Sequence, residues 1–568
     1  MTTSPTEAHD RGHDGGVRWT LCPGCGAYLY LRRLRRHLGV CPECSHHTRL
    51  SVSDRIGTLV DEGAFEPRDT ELVQGDPLGF TDSKPYPERL AKARRDTGRS
   101  EAAVWGTARI AGHAVVVAAL DFAFMGGSVG GLTGELIARA ARHAFDHRLP
   151  LILVSASGGA RMQEGTLSLM QLAKTAQEIG RLREAGILSI NVNTDPTYGG
   201  ATASFSVLGD IVIAEPGARV GFAGPQVIRQ TIRQDLPSGF QTAEFLQENG
   251  LLDMVVSRQE LRPTLARLLT LHTERSFPVD GEEEVPPVFA APSSPRNSAA
   301  EIVALARNIG RPTTADYCAA VFDDFVELHG DRIGADDPAV IAGVASLDGR
   351  PVVVIGHQKG HDTAELVKRN FGMPQPSGYH KARRMMEHAE RHRMPVISFI
   401  DTPGAYPGVE AEQRGQGSAI AECILRMSRL TVPTVAVVTG EGGSGGALAF
   451  GVGNRVLILE NAFYSVISPE GCSTILFGSA AEAGRAAEQL RLSARELQRF
   501  GVVDDVIPEP PGGAHTDRAA TAAGVRRALR SCLGELDLTG EELLTRRYER
   551  FSRFGAPANE SPHVEVVI

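Results

Sequence analysis

No stretch of this 568-residue chain is apolar for long enough to cross a bilayer as a helix. Runs such as residues 114–120 and 435–439 fall far short of the ~20 residues a span needs. A basic excess is missing too: 59 Lys and Arg stand against 68 Asp and Glu, and the net charge of -9 argues against general affinity for nucleic acid. Residues 1–16 lack the basic flank and apolar core of a secretory leader, so a cytoplasmic protein is expected. The composition is not that of a disordered chain either, with 42% hydrophobic and 22% charged residues. The length exceeds what one core usually organises and predicts two or three domains.

What the chain has in abundance is glycine, 62 residues without a collagen period. Such usage predicts tight turns and close approaches of backbone to ligand. Eight cysteines are present and four of them cluster. Cys22-x2-Cys25 and Cys41-x2-Cys44 are separated by fifteen residues, the spacing of a four-thiolate zinc ribbon. Four thiolates close a tetrahedral site, so the ion expected here is structural and activates no water. Between the pairs, Arg32, Arg33, Arg35 and Arg36 form a basic run suited to phosphate, to nucleic acid or simply to solvent. Cys318, Cys423, Cys472 and Cys532 are scattered and read as buried, inert thiols.

Changes of pattern divide the chain into a disordered extension (1–17), the ribbon (18–50), an α/β region (51–273), a linker (274–298) and a second α/β region (299–555). Pro278, Pro286, Pro287, Pro292 and Pro295, with Glu282, Glu283 and Glu284, mark the linker. Strands are expected near residues 114–120, 151–154, 187–192 and 211–214, and helices over 134–147 and 167–185. The second region repeats the scheme, with strands near 352–355, 396–400, 435–439 and 456–459, ahead of a helical tail.

The two regions look like copies of one domain. Arg148-Leu149-Pro150 feeds a strand ending at Gly158-Gly159-Ala160, and Arg393-Met394-Pro395 feeds one ending at Gly404-Ala405. Gly158 to Gly199 spans 41 positions, as does Gly404 to Gly445, and at those second stations stand Gly199-Gly200-Ala201 and Gly445-Gly446-Ala447. Backbone N–H groups at such turns are preorganised donors for an oxygen that gains negative charge. One oxyanion hole per half is therefore expected, built from Gly158, Gly159, Gly199 and Gly200 in the first and from Gly404, Ala405, Gly445, Gly446 and Ala447 in the second.

The motifs Phe124-Met-Gly-Gly-Ser128, Ser155-Ala-Ser-Gly-Gly-Ala-Arg-Met-Gln-Glu164 and Thr194-Asp-Pro-Thr-Tyr-Gly-Gly200, with the cysteine ribbon, resemble the beta subunit of bacterial acetyl-CoA carboxylase carboxyltransferase. Gly356-His-Gln-Lys-Gly360, Asn370-Phe-Gly-Met-Pro374, Phe399 to Gly408, Gly440 to Ala447 and Ser468-Pro-Glu-Gly-Cys472 resemble its alpha subunit. The resemblance implies two tandem crotonase-like ββα-superhelix domains and a site where halves of two protomers meet, hence at least a homodimer. It also implies the reaction: a carboxyl group passes from carboxybiotin on a carrier protein to acetyl-CoA, giving malonyl-CoA for fatty acid synthesis. By similarity, Gly158 and Gly159 serve one charged species and Gly446 with Ala447 the other, with CoA mainly on the first half. Arg161, Lys359, Lys368 and Arg369 are candidate phosphate contacts. The chain shows neither a biotin-attachment Met-Lys-Met nor a long ATP-binding domain, so the biotin carboxyl carrier protein and biotin carboxylase are expected as separate partners.

Three rival readings stand beside this one. Gly442-Gly443-Ser444-Gly445-Gly446 satisfies G-x-S-x-G, and Asp504 or Asp505 and His515 follow in hydrolase order. The ribbon with its arginines suits a nucleic-acid binder. Propionyl-CoA or another acyl-CoA could replace acetyl-CoA.

Overall fold

The computed structural model describes residues 19–232, 236–273 and 297–555. The expected N-terminal extension, and all of the expected linker except Asn297 and Ser298, lie outside the described residues. The chain opens with a small hairpin, Trp19–Leu21 against Tyr28–Tyr30, followed by the helix Leu31–Arg36. Two eight-stranded sheets follow.

The first sheet comprises β1 (Glu66–Arg68), β2 (Ala103–Ile110), β3 (His113–Leu120), β4 (Leu151–Ser157), β5 (Ser189–Tyr198), β6 (Ile211–Ala214), β7 (Val220–Gly221) and β8 (Met254–Val255). The second comprises β9 (Asp324–Glu327), β10 (Val340–Leu347), β11 (Arg350–His357), β12 (Val396–Thr402), β13 (Thr434–Gly443), β14 (Arg455–Leu459), β15 (Phe463–Ser465) and β16 (Asp505–Ile507). The spatial orders are β8-β6-β5-β4-β3-β2-β1, with β7 on β5, and β16-β14-β13-β12-β11-β10-β9, with β15 on β13. Each strand of the second half thus takes the place of the first-half strand numbered eight lower. In both, an antiparallel hairpin leads into parallel strands.

The expected strands are all present, because parallel strands covered on both faces read as continuous apolar runs. Every residue of β12 and β13 is buried. Helix α1 (Gly131–His147) buries Leu136, Ile137, Ala140, Ala141 and Ala144 at helical spacing, and α2 (Gly165–Glu184) packs against it. In the second half, α4 (Pro376–Arg391) covers the sheet together with α5 (Gln416–Ser428). Arg148 and Arg393, each just before a sheet-entering Pro, both adopt the left-handed conformation, at φ 51° and 54°.

The halves share one seam. Helix α3 (Arg258–Leu271) lies between the sheets, packing on β2 and β3 of the first and on β10 and β11 of the second. Buried Asp253 accepts from Val212 N at 2.7 Å, from Arg384 Nη1 at 2.9 Å and from Arg332. Removing such a carboxylate would strand two arginines in the interior, a cost of about 3–5 kcal/mol.

Candidate functional site

The cysteine ligands come together: Cys22 Sγ lies 3.6 Å from Cys44 Sγ, and Cys25 Sγ lies 4.0 Å from Cys41 Sγ. Sulfurs on a tetrahedron around zinc, with Zn–S near 2.3 Å, stand roughly 3.8 Å apart, so the set fits one closed structural zinc ion. A buried ion cluster docks this module on the first half. Glu215 accepts from Arg55 and from Arg258 Nε and Nη2, both at 2.8 Å, while Arg258 donates to Leu38 O at 2.8 Å and Thr48 O at 3.0 Å. Burial pushes the Glu215 carboxyl up, but the two guanidinium groups outweigh it and hold it down at about 2. In the basic run, Arg33 pairs with Glu43 at 3.0 Å.

Each half carries a bulge in the same place. The β4–β5 register shifts between Ser155 and Ser157, and the β12–β13 register shifts between Ile400 and Thr402. A bulge re-aims the chain, and here it turns the strand end into the first glycine turn. Gly159 (φ +112°) and Gly404 (φ +149°) occupy the same station, each donating its N–H to the hydroxyl two residues earlier: Ser157 Oγ at 3.1 Å and Thr402 Oγ1 at 3.0 Å. The second turn follows the next strand, where Gly199 (φ +59°) corresponds to Ser444 (φ +58°). The internal repeat is therefore displaced by one residue from the spacing of the glycine letters: Gly159 matches Gly404, and Gly200 matches Gly445.

That displacement changes the donors. Gly158 N–H is taken by Gly126 O at 2.8 Å and Gly159 N–H by Ser157 Oγ, so the pair expected to stabilise an oxyanion is engaged inside the fold. Among the described residues, the N–H groups of Ala160 and Gly200 in the first half and Ala405 in the second donate to nothing. Gly445 and Gly446 lie in the first turn of helix α6 (Ser444–Leu448), where N–H groups have no partner within the helix. The turns of each half abut. A Cβ on Gly200 would lie 3.3 Å from Ala160 N, and one on Gly446 would overlap Ala405 N. Ala447 follows, fully buried.

A buried cation braces each pair. Arg161, 1% exposed, pairs with Glu101 at 2.6 Å and Glu164 at 3.2 Å, and its Nε and Nη2 donate to Ser128 Oγ and Ser128 O. It ties Ser128, which follows the Met125–Gly127 turn, to the turn after β4. Lys359 Nζ lies 2.8 Å from Asp401 Oδ1 and 2.6 Å from Glu441 Oε2, linking the ends of β12 and β13. Burial opposes the Lys359 charge, but the two carboxylates keep its pKa above the usual lysine range. Both cations, expected as phosphate contacts, are engaged by these carboxylates within the fold. Arg369 donates to Pro338 O at 3.1 Å and stays partly exposed beside the Asn370–Gly372 turn, next to exposed Lys368.

The hydrolase constellation is not assembled. Asp504 accepts from Arg550 and Val456 N, His515 packs against Gly310 and Gly513, and neither hydrogen-bonds Ser444 among the described residues. Cys318, Cys423, Cys472 and Cys532 are all buried. Among the described residues no helix is long and apolar enough to cross a membrane. Sequence reasoning passed over Ala160 as a donor, and also the bracing acids Glu101, Glu164, Asp401 and Glu441. Except for Glu164, three residues from Arg161, the acids have no local signal, since Glu101 stands 60 residues from Arg161 and Glu441 stands 82 from Lys359.

The fold matches transcarboxylase 12S with methylmalonyl-coenzyme A and methylmalonic acid bound, at a TM-score of 0.69 and 22% identity, over 89% of this chain and 92% of that one. It also matches a single-chain, multi-domain long-chain acyl-CoA carboxylase, at a TM-score of 0.65 and 19% identity, over 89% of this chain and 50% of the other. These likenesses show the class of fold alone, an α/β domain in each half. Sequence narrows the class. Family models match as acetyl co-enzyme A carboxylase carboxyltransferase-like over residues 296–555 and as acetyl-CoA carboxylase zinc finger domain over residues 19–44. The acetyl-coenzyme A carboxylase carboxyl transferase subunits beta/alpha of Saccharopolyspora erythraea are 63% identical over 550 residues, covering 97% of this chain and 96% of that protein. Their counterpart in Clostridium tetani is 43% identical over 545 residues, covering 96% and 94%. The alpha subunit of Thermus thermophilus is 58% identical over 255 residues, 45% of this chain and 81% of its own length. This chain belongs to the acetyl-CoA carboxylase carboxyltransferase family, in the form that joins beta-like and alpha-like halves.

Proposed function

We propose that this chain moves the carboxyl group of carboxybiotin, presented on a biotin carboxyl carrier protein, to acetyl-CoA to make malonyl-CoA for fatty acid synthesis. A separate biotin carboxylase would recharge the carrier. The observation that carries the reading is the pair of backbone sites, one per half, with N–H groups that nothing in the described chain uses. Two oxygens gain negative charge in this reaction. The ureido oxygen does so as the carboxyl group leaves, and the thioester oxygen does so as the methyl group gives up its proton to the ureido nitrogen. Carboxybiotin itself supplies both the carboxyl group and, once it is lost, the base.

The chain's own work is then electrostatic. We assign Ala160 N–H and Gly200 N–H to the thioester oxygen and Ala405, Gly445 and Gly446 N–H to the ureido oxygen, with Gly158, Gly159, Gly404 and Ala447 shaping the turns. Fixed donors of this kind need no reorganisation as charge develops, and losing one costs about 10²–10³ in rate. Arg161 and Lys359 act as positioning residues that hold the turns, and Arg369 with Lys368 remains available to an anionic coenzyme. Exposed apolar side chains lie near both sets of turns: Met162 just after Ala160 and Phe222, whose carbonyl accepts from Gly199 N–H, in the first half, and Val409 just after Ala405 and Val466, which follows the strand paired with the end of β13, in the second. They suit a site closed by the opposite half of a second protomer, in the cytoplasm, as at least a homodimer.

The test is the reverse reaction. Malonyl-CoA and biotin, or biotinylated carrier, are mixed with the protein and acetyl-CoA is measured. Acetyl-CoA that forms only with biotin supports the reading. Equal turnover without biotin, or turnover only of propionyl-type substrates, overturns it.

A further inference from the structure

Three imidazoles meet at the seam between the halves, and carboxyl transfer uses none of them. His272 caps α3 of the first half, and His388 and His392 stand four residues apart on one face at the end of α4 of the second. One nitrogen from each lies within 4.8 Å of the others. The rings converge edge to face, with centroids 5.1 Å apart from His272 to each partner and 4.5 Å between His388 and His392.

The hydrogen bonding is that of a ligand set. His272 Nδ1 donates to Leu268 O at 2.7 Å, which fixes the tautomer and leaves a lone pair on Nε2. That lone pair accepts from His388 Nε2–H at 2.9 Å, a proton that a bound ion would displace to the other ring nitrogen. His392 Nε2 is buried in a side chain only 5% exposed and has no hydrogen-bond partner. Asp210 Oδ1 lies 3.7 Å from it and is also without one, while Asp210 Oδ2 accepts from Ser189 N and Oγ. Nitrogens on a tetrahedron around zinc, with Zn–N near 2.0–2.1 Å, stand roughly 3.3 Å apart, so small side-chain shifts would admit an ion.

We propose that His272, His388 and His392, with Asp210 Oδ1 facing the fourth position, form a second metal site for a borderline divalent ion of the zinc type, clasping the two halves together. The surrounding charge selects the class of ion. Arg391 lies 3.3 Å from Asp210, and Arg384 and Arg332 crowd nearby Asp253, so a hard cation held by charge alone is disfavoured and one bound through imidazole nitrogen is preferred. Because the ligands come from both halves, a bound ion would stabilise their packing by linkage.

The experiment uses the whole chain, stripped of loosely held metal and then reloaded in separate samples with zinc, counted by mass spectrometry, and with cobalt(II), followed by absorption. Expected are two zinc ions per chain, about one in each site. Expected also are two cobalt populations, one with strong thiolate-to-metal absorption and one with weak nitrogen/oxygen-type bands. His388→Gln and His272→Gln should each lower zinc from two ions to one, leave the thiolate band intact and abolish the rise in melting temperature that added zinc gives the native chain. One zinc per native chain, with only thiolate-type cobalt bands, overturns the proposal, and that reading does not depend on whether any variant folds.

Discussion

The two halves build the same pair of turns from different letters. Gly158, Gly199 and Ala201 in the first stand where Pro403, Ser444 and Gly446 stand in the second, yet φ agrees at the second turn, +59° and +58°, and is positive in both halves at the first, +112° and +149°. What recurs is a backbone path with exposed donors, and glycine is only one way to write it. The bracing also differs. Arg161 and its two glutamates are sealed, with side chains 0% exposed, whereas Lys359 keeps 14% of its side chain exposed. The first brace is thus the more fully desolvated.

The sharpest way to break this equivalence is to swap the letters. In Gly446→Ala the new Cβ would overlap Ala405 N and approach Tyr379 OH at 2.9 Å, so biotin-dependent turnover should fall about 10²–10³-fold, the cost of a lost oxyanion donor. Ala201→Gly at the matched position removes no donor and should leave turnover within about threefold. Equal losses in both would show that the halves are not equivalent in the way described. A second pair concerns the braces. Arg161→Met strands Glu101 and Glu164 in a sealed interior and should cost about 3–5 kcal/mol of unfolding free energy, with Lys359→Met costing less because its site is open. Denaturant titration decides the order.

A smaller effect concerns acid. Burial pushes the Glu135 carboxyl up, but hydrogen bonds from Arg139, Arg142 and Lys174 outweigh it and hold it at about 2. A depressed carboxyl contributes stability that is fully present above its unfolded pKa and is lost as pH falls toward the folded one. Melting temperature should therefore fall between about pH 4.5 and 2 less steeply in Glu135→Gln than in the native chain. A parallel pair of curves would remove Glu135 from the account. The smallest effect is expected for Ser444→Gly, which copies Gly199 and should leave turnover within about threefold. Loss of all turnover there would revive the nucleophile reading of Ser444.

Much of this was legible in the chain. The buried parallel strands announced themselves as apolar runs, and the cysteine spacing announced the ribbon. The strand β2, Ala103–Ile110, did not, because Gly106, Thr107 and Arg109 interrupt its apolar pattern. The repeat was visible, but matching glycine to glycine set it one residue out, since Pro403 and Ser444 hide the equivalence that φ reveals. Arg161 and Lys359 looked like surface cations because Glu101, Asp401 and Glu441, which pair with them, are distant in sequence. The same distance hid the histidine cluster: His388 and His392 are an i, i+4 pair, but His272 joins them from 116 residues away.

The central claim is that one donor set from each half serves a single site, with the halves drawn from different protomers. Co-expression of a Gly159→Ala chain with a Gly446→Ala chain, each inactive alone, tests it in one assay of biotin-dependent acetyl-CoA formation from malonyl-CoA. Mixed dimers would carry one site with both lesions and one with neither, so activity should return to roughly a quarter of the native level. Activity no higher than that of either variant alone would place both donor sets of a site in the same chain and contradict the account.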